Sequence, residues 1–317
     1  MKLVVITGCL GLIGRYVTEK CLEEGWRVYG IDSMTYAAND WALQSFLKND
    51  NFTFAKEDIS KLKYLPDCDY VINVAAESHV GNSIVDSNDF IQTNIIGVKN
   101  LLDLIRQKQD NVCKRPTLLH FSTDEVYGDI ADGMHSEADI LKPSNPYSAS
   151  KAAADMLILA WSRTYKLDYV IVRPTNNYGI GQYPEKLIPL SVKVLLRGNR
   201  IRLHNKGEPI RTWLHAEDTA NAIVHLIKKE VRNDIFNISG GFEQTNLETA
   251  KKILQYFYND CNIQFDNHLD LSYIREGQDI RYSLDDSKIR SLGWKPIKVF
   301  DNEIENIVNF YKNNFKW

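Results

Sequence analysis

The chain has 317 residues, 44% of them apolar and 25% charged, and 38 Lys+Arg against 41 Asp+Glu leave a formal net charge of −3. That balance fits a soluble globular protein and excludes a disordered chain or a stapled miniature scaffold. It also leaves no broad basic face for duplex nucleic acid or anionic lipid, so neither is expected as a partner and any anionic ligand must be met by a local pocket.

Apolar runs rich in β-branched residues alternate with helical patterns through the first half, as in a parallel sheet covered on both faces. Strands are predicted at Leu3 to Thr7, Arg27 to Ile31, Phe52 to Ala55, Tyr70 to Val74, Thr117 to Ser122 and Tyr169 to Val172. A helix is predicted from about Leu12 to Glu24. A long one carries Ile91, Asn94, Ile95, Val98, Leu101, Leu102 and Ile105 at helical spacing. Another begins at Pro146, suited to a first helical position, and runs to about Tyr165. Six strand-and-helix units make an α/β, doubly wound domain over residues 1–174.

A length slightly beyond the roughly 250 to 300 residues at which one core stops growing predicts a second lobe. After Pro174 the texture changes: Gly, Pro, Asn and Tyr crowd positions 174 to 184. Residues 175–317 read as a smaller α/β substrate lobe, with some elements allowed to cross back to the first domain. Its amphipathic helices are marked by Ala220, Ile223, Val224 and Ile227, by Leu247, Ala250, Leu254 and Phe257, and by Ile304, Ile307, Val308 and Tyr311.

Five cysteines, at 9, 21, 68, 113 and 261, form no CxxC pair. Reduced thiols in a cytoplasmic protein are expected, with no metal site. No apolar stretch approaches the roughly 20 residues of a membrane span, and no leader segment is read at the N-terminus.

Gly8, Gly11 and Gly14 follow the first strand and open a helix, so backbone amides can approach a pyrophosphate at the helix N-terminus. Asp32 closes the second strand at the distance where a carboxylate meets the adenosine ribose diol. Ser33 and Met34 supply no cation for a 2'-phosphate, which favours NAD over NADP. Tyr147 and Lys151 are four apart on one helix face, and an ammonium beside a phenol is expected to lower the phenol's pKa so that it can take a hydroxyl proton. Thr123, just past the fifth strand, can hydrogen-bond the same sugar oxygen. The adjacent carboxyls Asp124 and Glu125, if partly buried, push their pKa values apart into one acid and one base, the pair that water elimination needs. A solvated acidic turn is the plain alternative.

Together these residues resemble the extended short-chain dehydrogenases/reductases, and within them the nucleotide-sugar 4,6-dehydratases. The resemblance runs almost end to end: Thr7-Gly8 to Gly14, Asp32 with Thr35-Tyr36-Ala37, Asp58-Ile59, Ala75-Ala76-Glu77-Ser78-His79-Val80, Ser122 to Gly128, Pro146 to Lys151, Asn176-Asn177-Tyr178-Gly179, Pro184 to Pro189, Arg211 to His215, Phe236-Asn237-Ile238 and Arg275 to Tyr282. The glycine and Tyr/Lys motifs are shared with sugar epimerases and decarboxylases; only Asp124-Glu125 and the Pro184 to Pro189 run are specific to dehydration.

The resemblance implies NAD-dependent conversion of a nucleoside-diphosphate glucose, dTDP- or UDP-linked, to the 4-keto-6-deoxy sugar. In that cycle Tyr147 takes the O4 proton as hydride leaves C4, Glu125 takes the C5 proton, Asp124 protonates the departing C6 hydroxyl, and hydride returns to C6. NAD would lie against Gly8, Gly11, Leu12, Ile13 and Gly14, with Asp32, Asp58, Ile59, Ala75, Asn94, Tyr147 and Lys151 around it. Asn176, Lys186, Arg211, Asn237 and Arg275 would bind the nucleotide diphosphate. A homodimer through helices near 86–107 and 146–165 is also implied. Two departures stand out: Gly81-Asn82 where the family usually carries Asp-Arg, and Arg275-Glu276-Gly277-Gln278-Asp279-Ile280 for its usual Arg-Pro-Gly-His-Asp-Arg. Gln278, able to bond a ribose hydroxyl, would admit UDP sugars. A 4-epimerase or decarboxylase would keep Tyr147 and Lys151 without needing the acidic pair, and a non-catalytic NAD-sensing regulator would need neither.

Overall fold

The computed structural model describes residues 1–109, 115–274 and 279–314. Its first half runs β1 (Leu3–Thr7), α1 (Leu12–Glu23), β2 (Arg27–Asp32), α2 (Asp40–Phe46), β3 (Phe52–Lys56), β4 (Tyr70–Asn73), α3 (Val80–Val85), the single turn α4 (Asn88–Phe90), α5 (Val98–Gln109), β5 (Thr117–Phe121), α6 (Pro146–Tyr165) and β6 (Tyr169–Pro174). The second half runs β7 (Asn176–Tyr178), α7 (Leu187–Leu196), β8 (Ile201–Arg202), β9 (Ile210–His215), α8 (Ala216–Lys228), β10 (Asp234–Ile238), β11 (Phe242–Thr245), α9 (Asn246–Tyr258), β12 (Leu269–Asp270), α10 (Ser287–Ser291) and α11 (Phe300–Asn314).

Seven parallel strands form one sheet in the order β3-β2-β1-β4-β5-β6-β10. Strands buried on both faces explain the unbroken apolar runs: Val4 and Ile6 join one core with Val17 of α1 and Ile223 and Ile227 of α8, while Val5 joins the other with Leu101 and Ile105 of α5 and Ile158 of α6. Each such fully buried aliphatic side chain contributes roughly 1.5 to 3 kcal/mol. The strand order reverses between β1 and β4, which opens a crevice at the carboxyl ends of those strands.

The six-strand count is one short. Residues 234–238, assigned by sequence to the substrate lobe, pair with β6, and α8 packs on α1. Their pattern is a single buried strand after a helix, which says nothing about which sheet it joins.

The long helix expected near 86–107 is interrupted. Between α4 and α5 the chain makes a π-helical stretch, Ile91–Gly97. The wider turn carries Asn94 fully inside, where its amide serves Glu77 and Ser150, and sets Gly97 against Ile59, where an added Cβ would lie 2.7 Å from that side chain. Helix α6 matches its expected bounds: Asn145 caps it, bonding the Ser148 amide in a reciprocal capping box, and Lys166 closes it in the left-handed region.

The remaining elements pack α7, α9 and α11 against the small sheet β11-β9-β7, around a second core that includes Tyr178, Trp213, Phe257, Phe300 and Tyr311.

Candidate active site

A cleft of about 600 Å³ runs along the carboxyl ends of β1, β2, β4, β5 and β6. At one end its wall is backbone. Gly8 has φ +66°, and a Cβ there would lie 2.7 Å from the Ala75 backbone; a Cβ on Gly14 would lie 1.9 Å from the Gly8 carbonyl oxygen. Only glycine lets the first turn of α1 sit this close to β1, and the amides so exposed make a cradle for an anion. Leu12, Ile13 and Gly11 complete that edge.

Asp32 stands where β2 ends and is nearly buried. Its Oδ2 accepts from the Leu10 amide (3.0 Å) and its Oδ1 from the Met34 amide (2.8 Å), which fixes the carboxylate facing the cleft beside Ser33. Burial pushes its pKa up while the two amides pull it back. Asp58, Ile59 and Ala75 line the same end; the Asp58 carboxylate is braced by the Ser60 amide and hydroxyl, both at 2.8 Å. A glycine cradle, an acidic strand end and no cation at 33 or 34 fit a dinucleotide whose adenosine ribose carries a free 2'-hydroxyl.

At the other end the wall is charged side chain. The Thr123 hydroxyl donates to Asp124 Oδ1 (3.1 Å) and accepts from the Glu125 amide (3.3 Å), on the same cleft wall as the Tyr147 phenol. Asp124 is 3% exposed, and its Oδ2 has no partner among the described residues. Burial, then the neighbouring Glu125, push its pKa up to about 7. Glu125 accepts from the Asn145 side chain (3.3 Å). Its pKa is raised by burial and drawn back by Asn145, Lys186 and Arg211.

Tyr147 and Lys151 both reach the cleft from α6, yet the expected pairing is corrected. Lys151 Nζ donates to the Phe121 carbonyl (2.5 Å) and lies 3.3 Å from His120 Nε2. The phenol is pushed well above its ordinary range by burial and by the Glu125 and Asp124 carboxyls, with the Thr123 hydroxyl pulling it down. Burial instead lowers Lys151 to about 8, against the pull of Asp155. Spacing put the two groups on one face, but the dominant effect is desolvation of both.

Asn176 and Lys186 line the substrate side; Lys186 Nζ donates to the Ser78 carbonyl (2.9 Å). Three of the expected residues are placed off the wall of this cleft. Asn94 is fully buried behind the wall, and its amide is spent on the Glu77 backbone and Ser150 Oγ. Asn237 is fully buried too, accepting from the Tyr127 hydroxyl and donating to the His135 and Asp285 carbonyls, so it braces the lobe junction away from the cleft. Arg211 does not line the cleft: its guanidinium donates to the Ile210 carbonyl and lies over the Tyr282 ring, 5.1 Å from its centroid, though its charge still reaches both acidic residues. Arg275 and Gln278 lie outside the described residues.

Sequence reasoning passed over Asn145, which caps α6 and holds Glu125; the Asn-Pro pair before a helical run was its signal. It gave no role to Tyr183, or to Glu77 and Glu185 within the motifs it quoted, all three of which line the cleft wall.

A crevice at the strand-order reversal with a glycine cradle and a Thr/Tyr/Lys group defines a dinucleotide-dependent enzyme of the extended short-chain dehydrogenase/reductase type, and residues 5–307 match the family described as GDP-mannose 4,6 dehydratase. The chain belongs to that family of nucleotide-sugar 4,6-dehydratases. It is 38% identical to the dTDP-glucose 4,6-dehydratase of Haemophilus influenzae, over 99% of both chains. Among solved structures it is similar to the dTDP-glucose 4,6-dehydratase DesIV of Streptomyces venezuelae, determined with NAD bound, at a TM-score of 0.89 and 34% identity over 98% of this chain and 97% of that one. The UDP-glucuronic acid 4-epimerase of Bacillus cereus reaches the same TM-score at 23% identity, covering 98% and 99% of the two chains, and so shares the fold.

Proposed function

We propose that the protein catalyses the NAD-dependent dehydration of dTDP-glucose to the 4-keto-6-deoxy sugar. The observation that carries this reading is the pair Asp124, buried, and Glu125, half-buried, in the same cleft as Tyr147. An epimerase has no use for two extra carboxyls drawn from water, a placement that costs stability unless chemistry requires it.

NAD, when bound, takes hydride from C4 and gives it back at C6. The chain's own residues handle the protons. Tyr147 accepts the O4 proton, with the Thr123 hydroxyl on the same cleft wall within reach of the same sugar oxygen. Asp124, with its pKa near 7, keeps a large protonated fraction at neutral pH and so can hand a proton to the C6 hydroxyl as it leaves. A protonated Asp124 also removes one of the two negative charges that hold the phenol up, so the acid form of one favours the base form of the other. Glu125, held by Asn145 and drawn toward its ionised form by Lys186 and Arg211, takes the C5 proton. Asn176 and Lys186 offer a donor and a cation to the diphosphate. Asp32 accepts from the ribose hydroxyls of the cofactor and disfavours a 2'-phosphate there.

We also propose a homodimer in the cytoplasm. Ile84 and Val85 of α3, Ile91 and Ile96 of the π-helical stretch and Met156 of α6 are between 42% and 88% exposed on helices that pack together, which leaves apolar surface for a second copy. Among the described residues no helix is long and apolar enough to cross a membrane. Light scattering on the purified protein tests the dimer.

The activity is tested by incubation with NAD+ and dTDP-, UDP-, GDP- and CDP-hexoses, followed by product mass. Loss of one water from dTDP-glucose is expected. An unchanged mass with inverted C4 would overturn the reading.

A further inference from the structure

The two walls of the cleft come from distant parts of the chain. One is the glycine turn from Gly8 to Gly14; the other includes Gln182, Tyr183, Glu185 and Lys186, on the loop between β7 and α7. A ligand on one wall meets a ligand on the other at a distance set by how the walls are joined.

One side chain joins them directly. Asn39 is buried at the start of α2, and its Nδ2 lies 2.9 Å from the Leu10 carbonyl and 3.0 Å from the Gly181 carbonyl. Both carbonyls can only accept, so the amide nitrogen faces them and each of its two hydrogens serves a different wall. Leu10 sits within the glycine turn, where its own amide holds Asp32, and its carbonyl also accepts from the Asn39 backbone amide (2.9 Å). Gly181 heads the run that ends at Lys186. An asparagine in this position ordinarily turns its oxygen to cap the helix. Here the side chain makes no cap, and the buried Oδ1 has no partner among the described residues. An unpaired buried acceptor costs stability, so packing alone does not account for the residue.

Neighbouring contacts run the same way. The buried Arg15 of α1 donates to the Ile180 carbonyl (2.8 Å), and its guanidinium lies over the Tyr16 and Trp41 rings, 3.9 and 4.9 Å from their centroids. Gly181 takes φ +88°, and a Cβ there would lie 2.9 Å from Asn39 Oδ1, so glycine lets the loop come this close. Tyr311 of α11 holds the same loop differently: its hydroxyl lies 3.3 Å from the Gly179 carbonyl and 2.9 Å from that of Gln182, which ties the loop to its own lobe.

We propose that Asn39 is a positioning residue for the reaction: it struts the substrate-side loop against the glycine turn and keeps the sugar within hydride reach of the cofactor from C4 oxidation to C6 reduction. This rests on the dehydration reading, in which the same hydride must cross between the walls twice. Were the walls to part after the first crossing, the keto sugar would leave with its C4 hydride still on the dinucleotide and its O4 proton on Tyr147. The protein would then hold a reduced cofactor that an unoxidised substrate cannot discharge.

The test mixes full-length protein carrying NAD+ with dTDP-glucose and compares the NADH left on the protein with the dehydrated product formed. For Asn39→Ala the ratio of trapped NADH to product should rise about tenfold or more. Tyr311→Phe frees the same loop from α11 but spares the bond between the walls, so it should cost stability with the ratio unchanged. A merely structural role would lower the active fraction and leave the ratio alone. An unchanged ratio in Asn39→Ala, or an equal rise in Tyr311→Phe, overturns the proposal. Should Asn39→Ala not fold, Asn39→Ser takes its place with the same expectation, since one hydroxyl hydrogen serves one wall at most. Amide hydrogen exchange reads the strut without turnover: in the NAD-loaded variant the amides between 179 and 186 should exchange severalfold faster, and unchanged rates overturn the proposal. Absence of dehydrated product from the unmutated protein overturns the proposed reaction instead, and the exchange rates then decide the strut.

Discussion

Gly8 and Gly14 shape one end of the cleft by having no side chain, whereas Asp124, Glu125, Tyr147 and Lys151 shape the other by bringing ionisable groups out of water. The first end is rigid backbone at the glycines, with the Asp32 carboxylate held in place beside them. The second is a set of coupled titrations in which each group's charge depends on its neighbours. A substitution at the glycine end should therefore act through fit, and one at the acidic end through protonation.

The largest expected effect is at the acidic end. Tyr147→Phe should lower kcat by roughly 10² to 10⁴-fold with nucleotide-sugar affinity little changed, since it removes the proton acceptor and almost no contact area. Retention of a tenth of the activity in steady-state assays would remove Tyr147 as the base. At the other end Gly14→Ala should act on structure: with the Gly8 oxygen 1.9 Å from the new Cβ the backbone must move, and a stability loss of about 3 kcal/mol with loss of NAD+ binding is expected. Denaturant unfolding and calorimetry measure both, and ordinary binding by the variant would mean that the turn can relax.

A third substitution tests whether the reactive charges cost stability. Asp124 has a folded pKa near 7, above the usual carboxylate value, so its favourable contribution is complete below about pH 4 and is lost as pH rises through 7. Asp124→Asn removes that dependence. The variant should be flatter between pH 4 and 8 and more stable than the unmutated protein at pH 8 by about 2 kcal/mol, as read from melting temperature against pH. Parallel curves for the two proteins would mean that Asp124 stays ionised.

The smallest effect concerns cofactor choice. Asp32→Ala with Ser33→Arg removes a repulsion and adds a phosphate partner, so the NAD+ over NADP+ preference should narrow or reverse by about 1 to 2 kcal/mol in calorimetry. Equal affinities in the unmutated protein would show that Asp32 does not meet the ribose.

The contrast also explains what could be read in the sequence. Glycines at 8, 11 and 14 and an acid at 32 follow from spacing along one strand, turn and helix, and α6 carried its start in Pro146. Tyr147 and Lys151 were placed on one face by the same local geometry. Their relation was not legible, because it depends on His120 and Phe121 from β5, far away in the chain. Asn94 and Asn237 show the same limit: a polar residue in a motif reads as a ligand contact until burial reveals that it ties two elements together. The π-helical stretch hid for a related reason, since Ile91, Ile95 and Val98 fit an α-helical stripe as well.

The return of α8 and β10 to the first sheet has a consequence for dissecting the molecule. A fragment ending at Pro174 would leave β6 as a bare parallel edge, with the amides and carbonyls that now pair with Ile235 to Ile238 open to other chains, and would strip the cover of α8 from α1. Such a fragment should aggregate rather than stand alone as a cofactor-binding module, and a fragment starting at 175 would carry an orphan strand with no sheet to join. The two lobes are thus interleaved: the chain leaves the first, returns to seal its edge, and leaves again. One backbone cut between them cannot yield two self-sufficient halves.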